Sequence, residues 1–209
     1  WRCNDTWNMQ SREDEIEYCK QHGIDLPFSA DSSYSRDRNL WHISHEGLEL
    51  ESPANEPNYD HLLVLGVTPE KAPDEGEYVT MTFEKGVPTS VNGEKMKPSD
   101  IIRKLNELGG KHGIGIIDIV ENRVVGMKSR GVYETPGGTI LMEAHTQLEE
   151  LILDRDTLDY KKLVAVKFAD LVYEGKWFTP LREALQAFIE STQEYVTGEV
   201  KFKLYKGNI

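Results

Sequence analysis

The chain has 209 residues, of which 38 % are hydrophobic and 29 % are charged, which is typical of a globular domain; no apolar run approaches the roughly 18 residues of a membrane span. A formal net charge of -12 argues against a surface that coats nucleic acid, although a small anion could still bind where the local charge is favourable. The two cysteines, Cys3 and Cys19, are too few for a disulfide framework, so free thiols in a reducing cytoplasm are expected.

The first predicted element is a short helix over residues 11–22. Ser11 can cap its start, acidic residues occupy the first turn, where the helix dipole favours them, and Gly23 follows as a stop signal. Residues 31–77 are rich in Ser, Pro, Asn and Glu and have little periodicity. We therefore expect a long irregular connection, which in a compact protein is usually functional or disordered.

Two hairpin turns are predicted next. Residues 78–83 alternate between apolar and polar side chains, as a half-buried strand does, and residues 85–86 turn the chain into a second strand over residues 87–91. The Asn-Gly pair at residues 92–93 predicts another tight turn.

A helix and a buried strand follow. Ser99 is predicted to cap the helix, and Gly109 with Gly110 is predicted to close it. Residues 114–120 are nearly all apolar, which predicts a strand that is buried on both faces. The helix has an apolar stripe of Ile101, Ile102, Leu105 and Leu108.

The C-terminal half is predominantly helical in its pattern. Apolar residues keep helical spacing over residues 140–152, 164–172 and 181–189, and residues 200–204 alternate as a half-buried strand does. We predict an α+β fold in which a mixed or antiparallel sheet packs with several helices, with a helix-rich C-terminal half.

The densest group of polar residues surrounds the end of the predicted buried strand. Glu121, Asn122 and Arg123 follow that strand, and Pro136-Gly-Gly-Thr139 opens a helix whose backbone amides could receive an anion. The alternative is that the glycines only form a turn and that the basic residues nearby are solvated. Further polar residues between these two points are Lys128, Ser129, Arg130, Tyr133 and Glu134.

Residues 34–47 form a second candidate, in which hydroxyls, charges and an aromatic ring share a segment that we expect to be irregular. Ser35 and Ser44 could each hydrogen-bond a polar ligand, or could form turns with their own backbone. His42 and His45 are three residues apart, but no convergent third ligand supports a metal site, so none is predicted. The sequence contains neither a serine-nucleophile elbow nor a Gly-x-x-x-x-Gly-Lys-Ser/Thr phosphate loop.

The run IDIVENRVVGMKSRGVYETPGGTIL at residues 117–141 resembles a signature stretch of argininosuccinate synthases. Residues 34–44, 111–115, 168–173 and 204–208 are also similar to that family, in the same order. The resemblance implies ATP-dependent ligation of citrulline to aspartate through a citrullyl-adenylate, with AMP and pyrophosphate as the other products.

The resemblance also implies a set of citrulline-binding residues. Two family serines nine residues apart match Ser35 and Ser44, and a family glutamate and tyrosine twelve residues apart match Glu121 and Tyr133. A carboxylate suits the α-ammonium of citrulline, and hydroxyls suit its other polar groups. No catalytic residue and no metal ligand is assigned in this chain.

The sequence departs from the family pattern because it has no Ser-Gly-Gly-Leu-Asp-Thr-Ser loop. The resemblance therefore implies that ATP, magnesium and aspartate bind mainly outside these residues, and that the chain alone is inactive. Residues 1–23 are expected to be a connection from a nucleotide-binding domain. Residues 24–209 are expected to be a synthetase domain without the family's C-terminal arm, so that both ends are cuts in a longer polypeptide.

Three further expectations concern partners and alternatives. The family is tetrameric, and this chain is expected to self-associate more weakly. No nucleic-acid or membrane partner is expected, and the location is expected to be cytoplasmic. A non-catalytic module that binds citrulline, and a module that serves only oligomerisation, are the alternatives to a ligase.

Overall fold

The computed structural model describes residue 9, residues 12–26 and residues 34–209. In this part of the chain, eight strands form two four-stranded antiparallel sheets. The strands β1 to β8 are Ser35–Arg38, Ile43–Glu46, Glu77–Glu84, Val87–Val91, Glu94–Lys95, Ile116–Asn122, Lys128–Glu134 and Gly198–Leu204. The helices α1 to α6 are Arg12–Gln21, Tyr59–Leu62, Pro98–Lys111, Pro136–Ile152, Arg155–Tyr173 and Pro180–Gln193, with 3₁₀ turns at Leu48–Glu51 and Pro69–Lys71. The predicted α+β class, antiparallel sheet and helix-rich C-terminal half are confirmed.

The second sheet, in strand order β5–β4–β3–β8, carries the main hydrophobic core. Val79, Met81 and Phe83 alternate along β3 and are fully buried. They share one apolar cluster with Leu105 of α3 and Ile140 of α4. Because fully burying a side chain of this kind contributes about 1.5–3 kcal/mol, apolar packing is what stabilises this half of the molecule.

The predicted hairpin turns of the second sheet are confirmed. Lys85 and Gly86 join β3 to β4 with φ values of 50° and 76°, and Asn92 and Gly93 join β4 to β5 with φ values of 51° and 79°. Two consecutive left-handed residues form the turn whose twist matches that of the flanking strands. The Asn92 side chain also accepts a hydrogen bond from the backbone amide of Thr80 at 2.9 Å.

Helix α3 differs from its prediction at both ends. It begins at Pro98, with Lys97 at the cap position, so Ser99 lies inside the first turn and the predicted cap is wrong. It continues through Gly109 and Gly110 to Lys111. A Cβ at Gly110 would lie 2.1 Å from the carbonyl oxygen of Leu65. The glycine pair therefore permits close approach of another segment instead of ending the helix.

The first sheet, in strand order β1–β2–β7–β6, begins where an irregular segment was predicted. Within residues 34–47 the chain forms an antiparallel hairpin of β1 and β2. All four residues of β1 are exposed, so no apolar alternation marks it as a strand. The Asn39 side chain shapes the turn by accepting hydrogen bonds from the amides of Trp41 and His42 at 2.8 and 3.0 Å.

Strand β6 is not the buried strand that its composition predicted. Among the described strands it lies at the edge of the first sheet and pairs only with β7. Ile117 is 50 % exposed and Val120 is 55 % exposed. Ile114, by contrast, precedes the strand and is buried in the core of the second sheet. An apolar run predicts burial only where a second layer covers it, and composition does not reveal that layer.

The remaining predicted elements hold with adjusted bounds. Helix α1 ends before Gly23, which has the left-handed φ of +66° expected of a helix stop. Helices α4, α5 and α6 and strand β8 cover the predicted C-terminal elements. Ser11 and Cys3 lie outside the described residues, and the domain boundary after residue 23 stays a prediction. None of the described helices is long and apolar enough to cross a membrane.

Candidate functional site

The four residues implied as citrulline ligands lie on one face of the first sheet. In register, Ser44 of β2 stands opposite Tyr133 of β7, and Ser129 of β7 stands opposite Glu121 of β6. Ser35 of β1 stands opposite Glu46, two residues beyond Ser44. Residues that stand opposite each other, or that are two apart in a strand, share a face. Four strands, separated in sequence, thus each contribute one of these side chains.

Tyr133 and Glu121 are in direct contact. The tyrosine hydroxyl donates a hydrogen bond to the Glu121 carboxylate at 2.6 Å. Burial, and then this bond to a carboxylate, raise the pKa of Tyr133 well above its usual value. The ring passes over Gly131, where a Cβ would lie 3.0 Å from Tyr133 Cε2. The glycine therefore leaves the space through which the phenol reaches across to β6.

The two serines differ in their surroundings. Ser44 is buried, and its hydroxyl oxygen accepts a hydrogen bond from the backbone amide of Asp37 at 3.3 Å, across the β1–β2 hairpin. Ser35 is exposed at the start of β1. The predicted alternative, that both hydroxyls only form turns with their own backbone, is wrong, because both lie in paired strands.

Arg123 balances one of the two carboxylates on this face. Its Nη2 donates to Glu46 Oε2 at 2.9 Å and to Ser129 Oγ at 3.2 Å. Glu121 has no ion pair with any residue in the described part of the chain. A carboxylate whose hydrogen-bond donor is a neutral phenol keeps its charge available for a cation, and the opposed hydroxyls supply donors and acceptors.

Three residues of this face were not assigned to a ligand from the sequence. They are Glu46, Arg123 and His42, whose ring centroid lies 6.0 Å from that of Tyr133. The spacing of Glu46 after Ser44 would have been the usable signal, since residues two apart share a strand face. Because the segment was predicted to be irregular, the two-residue period of a strand was not expected there.

Two other sequence candidates are occupied by protein contacts. The amide of Gly137, at the opening of α4, donates to Asn106 Oδ1 at 2.9 Å, so it is not free to bind an anion. His45 is fully buried and pairs with Glu134 on the reverse face of the first sheet. Among the residues that the structure describes, no group of three or more His, Cys, Asp or Glu side chains could hold a metal ion.

Comparison with known proteins places these residues in a family. Residues 34–209 match the family model of the Arginosuccinate synthase C-terminal domain. The chain belongs to the argininosuccinate synthase family. Over all 209 residues it is 84 % identical to an argininosuccinate synthase of Agathobacter rectalis, 82 % identical to one of Lachnoclostridium phytofermentans and 62 % identical to one of Brachyspira hyodysenteriae. The chain spans about half of the length of these argininosuccinate synthases, 51 % in each case.

The region of family similarity includes the whole first sheet. Strands β1, β2, β6 and β7 all fall within residues 34–209, as do the four residues of the candidate face. The family resemblance drawn from the short motifs in the sequence is therefore confirmed over residues 34–209.

Proposed function

We propose that this chain supplies the citrulline-binding part of an argininosuccinate synthase. The observation that carries the proposal is the convergence of Ser35, Ser44, Glu121 and Tyr133 on one face of the first sheet. A carboxylate, a phenol and two hydroxyls suit a zwitterionic amino acid with a polar, uncharged ureido group. Held on paired strands, these groups would fix the substrate in one orientation for the reaction.

In the proposed reaction, the ureido oxygen of citrulline attacks the α-phosphorus of ATP. An oxygen–phosphorus bond forms, the bond to the β-phosphate bridge breaks, and pyrophosphate leaves. The amine of aspartate then attacks the ureido carbon of the citrullyl-adenylate. A carbon–nitrogen bond forms, the carbon–oxygen bond to AMP breaks, and argininosuccinate remains.

Each proposed ligand has a separate role in this scheme. Glu121 pairs with the α-ammonium of citrulline, and Tyr133 holds that carboxylate in place through the 2.6 Å hydrogen bond. Ser44, within the sheet, and Ser35, at its border, bind the remaining polar groups. None of the four is given a proton-transfer or nucleophilic role, so the chain orients the substrate without acting as a chemical catalyst.

ATP, magnesium and aspartate are proposed to bind mainly outside these 209 residues. The sequence has no Ser-Gly-Gly-Leu-Asp-Thr-Ser loop, and the related argininosuccinate synthases are about twice as long. Phosphoryl chemistry needs groups that cradle phosphates, so we expect the chain by itself to release no pyrophosphate from ATP. A cytoplasmic location is proposed with the same activity.

Self-association is proposed from the helical half. Large apolar side chains lie exposed on α4, on α5 and after it, at levels from 66 % to 91 %: Leu151, Leu163, Val166 and Phe178. Exposed apolar surface of this extent is characteristic of protein–protein contacts. We propose a homo-oligomer built through these helices, with a weaker association than in the tetrameric family.

The citrulline assignment is tested by Glu121→Gln, which keeps the shape of the side chain and removes its charge. Because removal of one partner from a close charge pair costs about 2–5 kcal/mol, citrulline affinity should fall roughly 30-fold or more, as measured by titration calorimetry. Thermal stability should change little, since the amide oxygen still accepts the Tyr133 hydrogen bond.

The matched control is Glu94→Gln, which makes the same change of charge at an exposed position on β5 of the second sheet. It should leave citrulline affinity as in the wild type. Unchanged affinity in Glu121→Gln, or an equal loss in both variants, would remove Glu121 from the site.

A further inference from the structure

The reverse face of the first sheet carries a hydrogen-bonded chain of three side chains, of which His45 and Glu134 are buried and Arg36 lies at the exposed end. Arg36 Nε donates to His45 Nδ1 at 3.0 Å, and His45 Nε2 lies 2.8 Å from Glu134 Oε2. The side chains of His45 and Glu134 are 0 % and 2 % exposed. Because guanidinium can only donate, Nδ1 of His45 must accept, which places the proton of the neutral ring on Nε2. His45 therefore donates to Glu134, so both hydrogen bonds run from donor to acceptor in the order Arg36, His45, Glu134.

Glu134 is also bound by three consecutive backbone amides. Val64 donates to Oε2 at 2.8 Å, and Leu65 and Gly66 donate to Oε1 at 2.8 and 3.1 Å. A buried carboxylate is unfavourable unless such donors surround it. The contact also fixes the segment of residues 64–66 against the sheet.

That segment joins the two halves of the molecule. Gly66 packs against Gly110 of α3, and the amide of Val67 donates to the Gly110 carbonyl at 3.1 Å. Since α3 belongs to the core of the second sheet, Glu134 connects the first sheet to the rigid apolar part of the protein.

Each member of the chain directly follows a proposed citrulline ligand in sequence. Arg36 follows Ser35, His45 follows Ser44, and Glu134 follows Tyr133. Successive residues of a strand point to opposite faces, so anchoring the reverse face fixes the backbone of the ligand beside it. The network spans β1, β2 and β7, which are the three strands that carry Ser35, Ser44 and Tyr133.

We propose that Arg36, His45 and Glu134 form a positioning network for citrulline, an inference that rests on the proposed function. None of the three contacts the substrate face. Their role is to set the separations of Ser35, Ser44 and Tyr133 and to hold that sheet in register with α3. Loss of the network should weaken citrulline binding without changing any residue that contacts citrulline.

The decisive variant is Glu134→Gln in the full-length protein that carries this chain, with citrulline and ATP affinities measured together. We expect citrulline affinity to fall about 10- to 100-fold, by analogy with the loss caused by removing groups that orient the side chains bound to a metal, while ATP affinity changes less than about twofold.

The matched control is Glu149→Gln, because Glu149 is also a buried carboxylate and accepts hydrogen bonds from Lys161 and Gln193 at 2.5 and 2.6 Å. It lies on α4, away from the first sheet. It should lower the melting temperature and leave citrulline affinity unchanged.

If Glu134→Gln does not fold, two variants of His45 test the positioning network instead. His45→Gln keeps a donor for Glu134 near the position of Nε2 but removes the acceptor for Arg36, whereas His45→Leu removes both. Citrulline affinity should fall more in His45→Leu than in His45→Gln, with ATP affinity unchanged in each.

Two failures can be told apart. If the wild-type protein binds citrulline and the Glu134 and His45 variants lose only stability, as Glu149→Gln does, the positioning network is refuted and the proposed function stands. If the wild-type protein does not bind citrulline, the proposed function is refuted, and so is the proposal that the network positions citrulline.

Discussion

In the second sheet, Val79, Met81 and Phe83 meet α3 and α4 in a large apolar cluster. The reverse face of the first sheet combines directed hydrogen bonds between Arg36, His45 and Glu134 with a smaller apolar cluster of Tyr34, Leu50, Leu62 and Val132. Apolar packing is non-directional, and volume-conserving changes within it are tolerated best. A hydrogen-bonded network fixes distances and orientations, but a buried donor or acceptor that loses its partner destabilises the folded state. The sheet proposed to orient citrulline is thus the one in which directional bonds add to a smaller amount of apolar packing.

A second directional contact lies on the same reverse face, toward the β6 edge of the first sheet. Arg130 binds Asp118 through two hydrogen bonds of 2.9 and 2.8 Å, and its Nη1 also donates to the carbonyl oxygens of Ser52 and Asn55. These bonds lower the pKa of Asp118 below its usual value. Strand β6 is therefore fastened to β7 and to the 52–55 loop by the guanidinium of Arg130.

The largest effect is expected from breaking the apolar side of this comparison. Phe83→Ala removes a fully buried ring from the second sheet and should lower the free energy of unfolding by about 3–5 kcal/mol in urea titrations. Tyr195→Ala is the matched control, because that aromatic ring is 72 % exposed. Similar losses in the two variants would show that packing does not dominate this half.

A smaller effect on stability is expected from replacing one valine in each sheet by threonine. Val79→Thr places a hydroxyl in the core of the second sheet and should cost about 1–3 kcal/mol. Val120→Thr, on exposed strand β6, should change stability by about 0.5 kcal/mol or less. A large loss for Val120→Thr would mean that β6 is covered in solution, by a second copy of the chain or by another segment.

The last effect, on the pH dependence of stability, concerns two phenols of the first-sheet half, of which Tyr34 is buried and Tyr133 is half-buried. Burial, and then a 2.6 Å hydrogen bond to Glu49, raise the pKa of Tyr34 to about 12, and the pKa of Tyr133 is also raised. An unfolded tyrosine ionises near pH 10. The folded state therefore holds more protons above that pH, and stability present below about pH 10 is lost as the pH rises through about 12.

The double variant Tyr34→Phe, Tyr133→Phe should accordingly lose less stability than the wild type between about pH 9 and about pH 11, by about 1 kcal/mol for each phenol in urea titrations. Tyr195→Phe, which removes an exposed hydroxyl, serves as the control. Identical pH slopes in all three proteins would contradict the hydrogen-bonded, protonated state of both phenols.

The difference between the two sheets also explains which elements could be predicted from the sequence. The alternation of residues 78–83 and the Asn92-Gly93 turn gave the second sheet, because burial and turn chemistry leave a periodic pattern. Strand β1, Ser-Arg-Asp-Arg, has no such pattern, since all four residues are exposed and only its pairing with β2 makes it a strand. Gly110 was predicted to end α3 because its contact, the Leu65 carbonyl, is far away in sequence.

The candidate site was predictable in a different way. Ser35, Ser44, Glu121 and Tyr133 were named through the family resemblance, and strand register brings them to one face. Neither composition nor spacing could have joined β1 and β2 to β6 and β7. The partnership of His45 with Glu134 was missed for the same reason: a buried charge is recognised only when its donors, here the amides of residues 64–66, are in view.

The pairing of β3 with β8 has a consequence for how the chain folds. Glu77 pairs with Leu204, so the central strand of the second sheet acquires one of its two neighbours only after about 127 further residues have been synthesised. The first sheet closes earlier along the chain, once Tyr133 can reach Ser44. During synthesis, the strands of the first sheet can therefore pair while β3 of the second sheet still lacks its partner β8. Because both closures bring distant residues together, the high contact order favours slow folding, with β8 docking late.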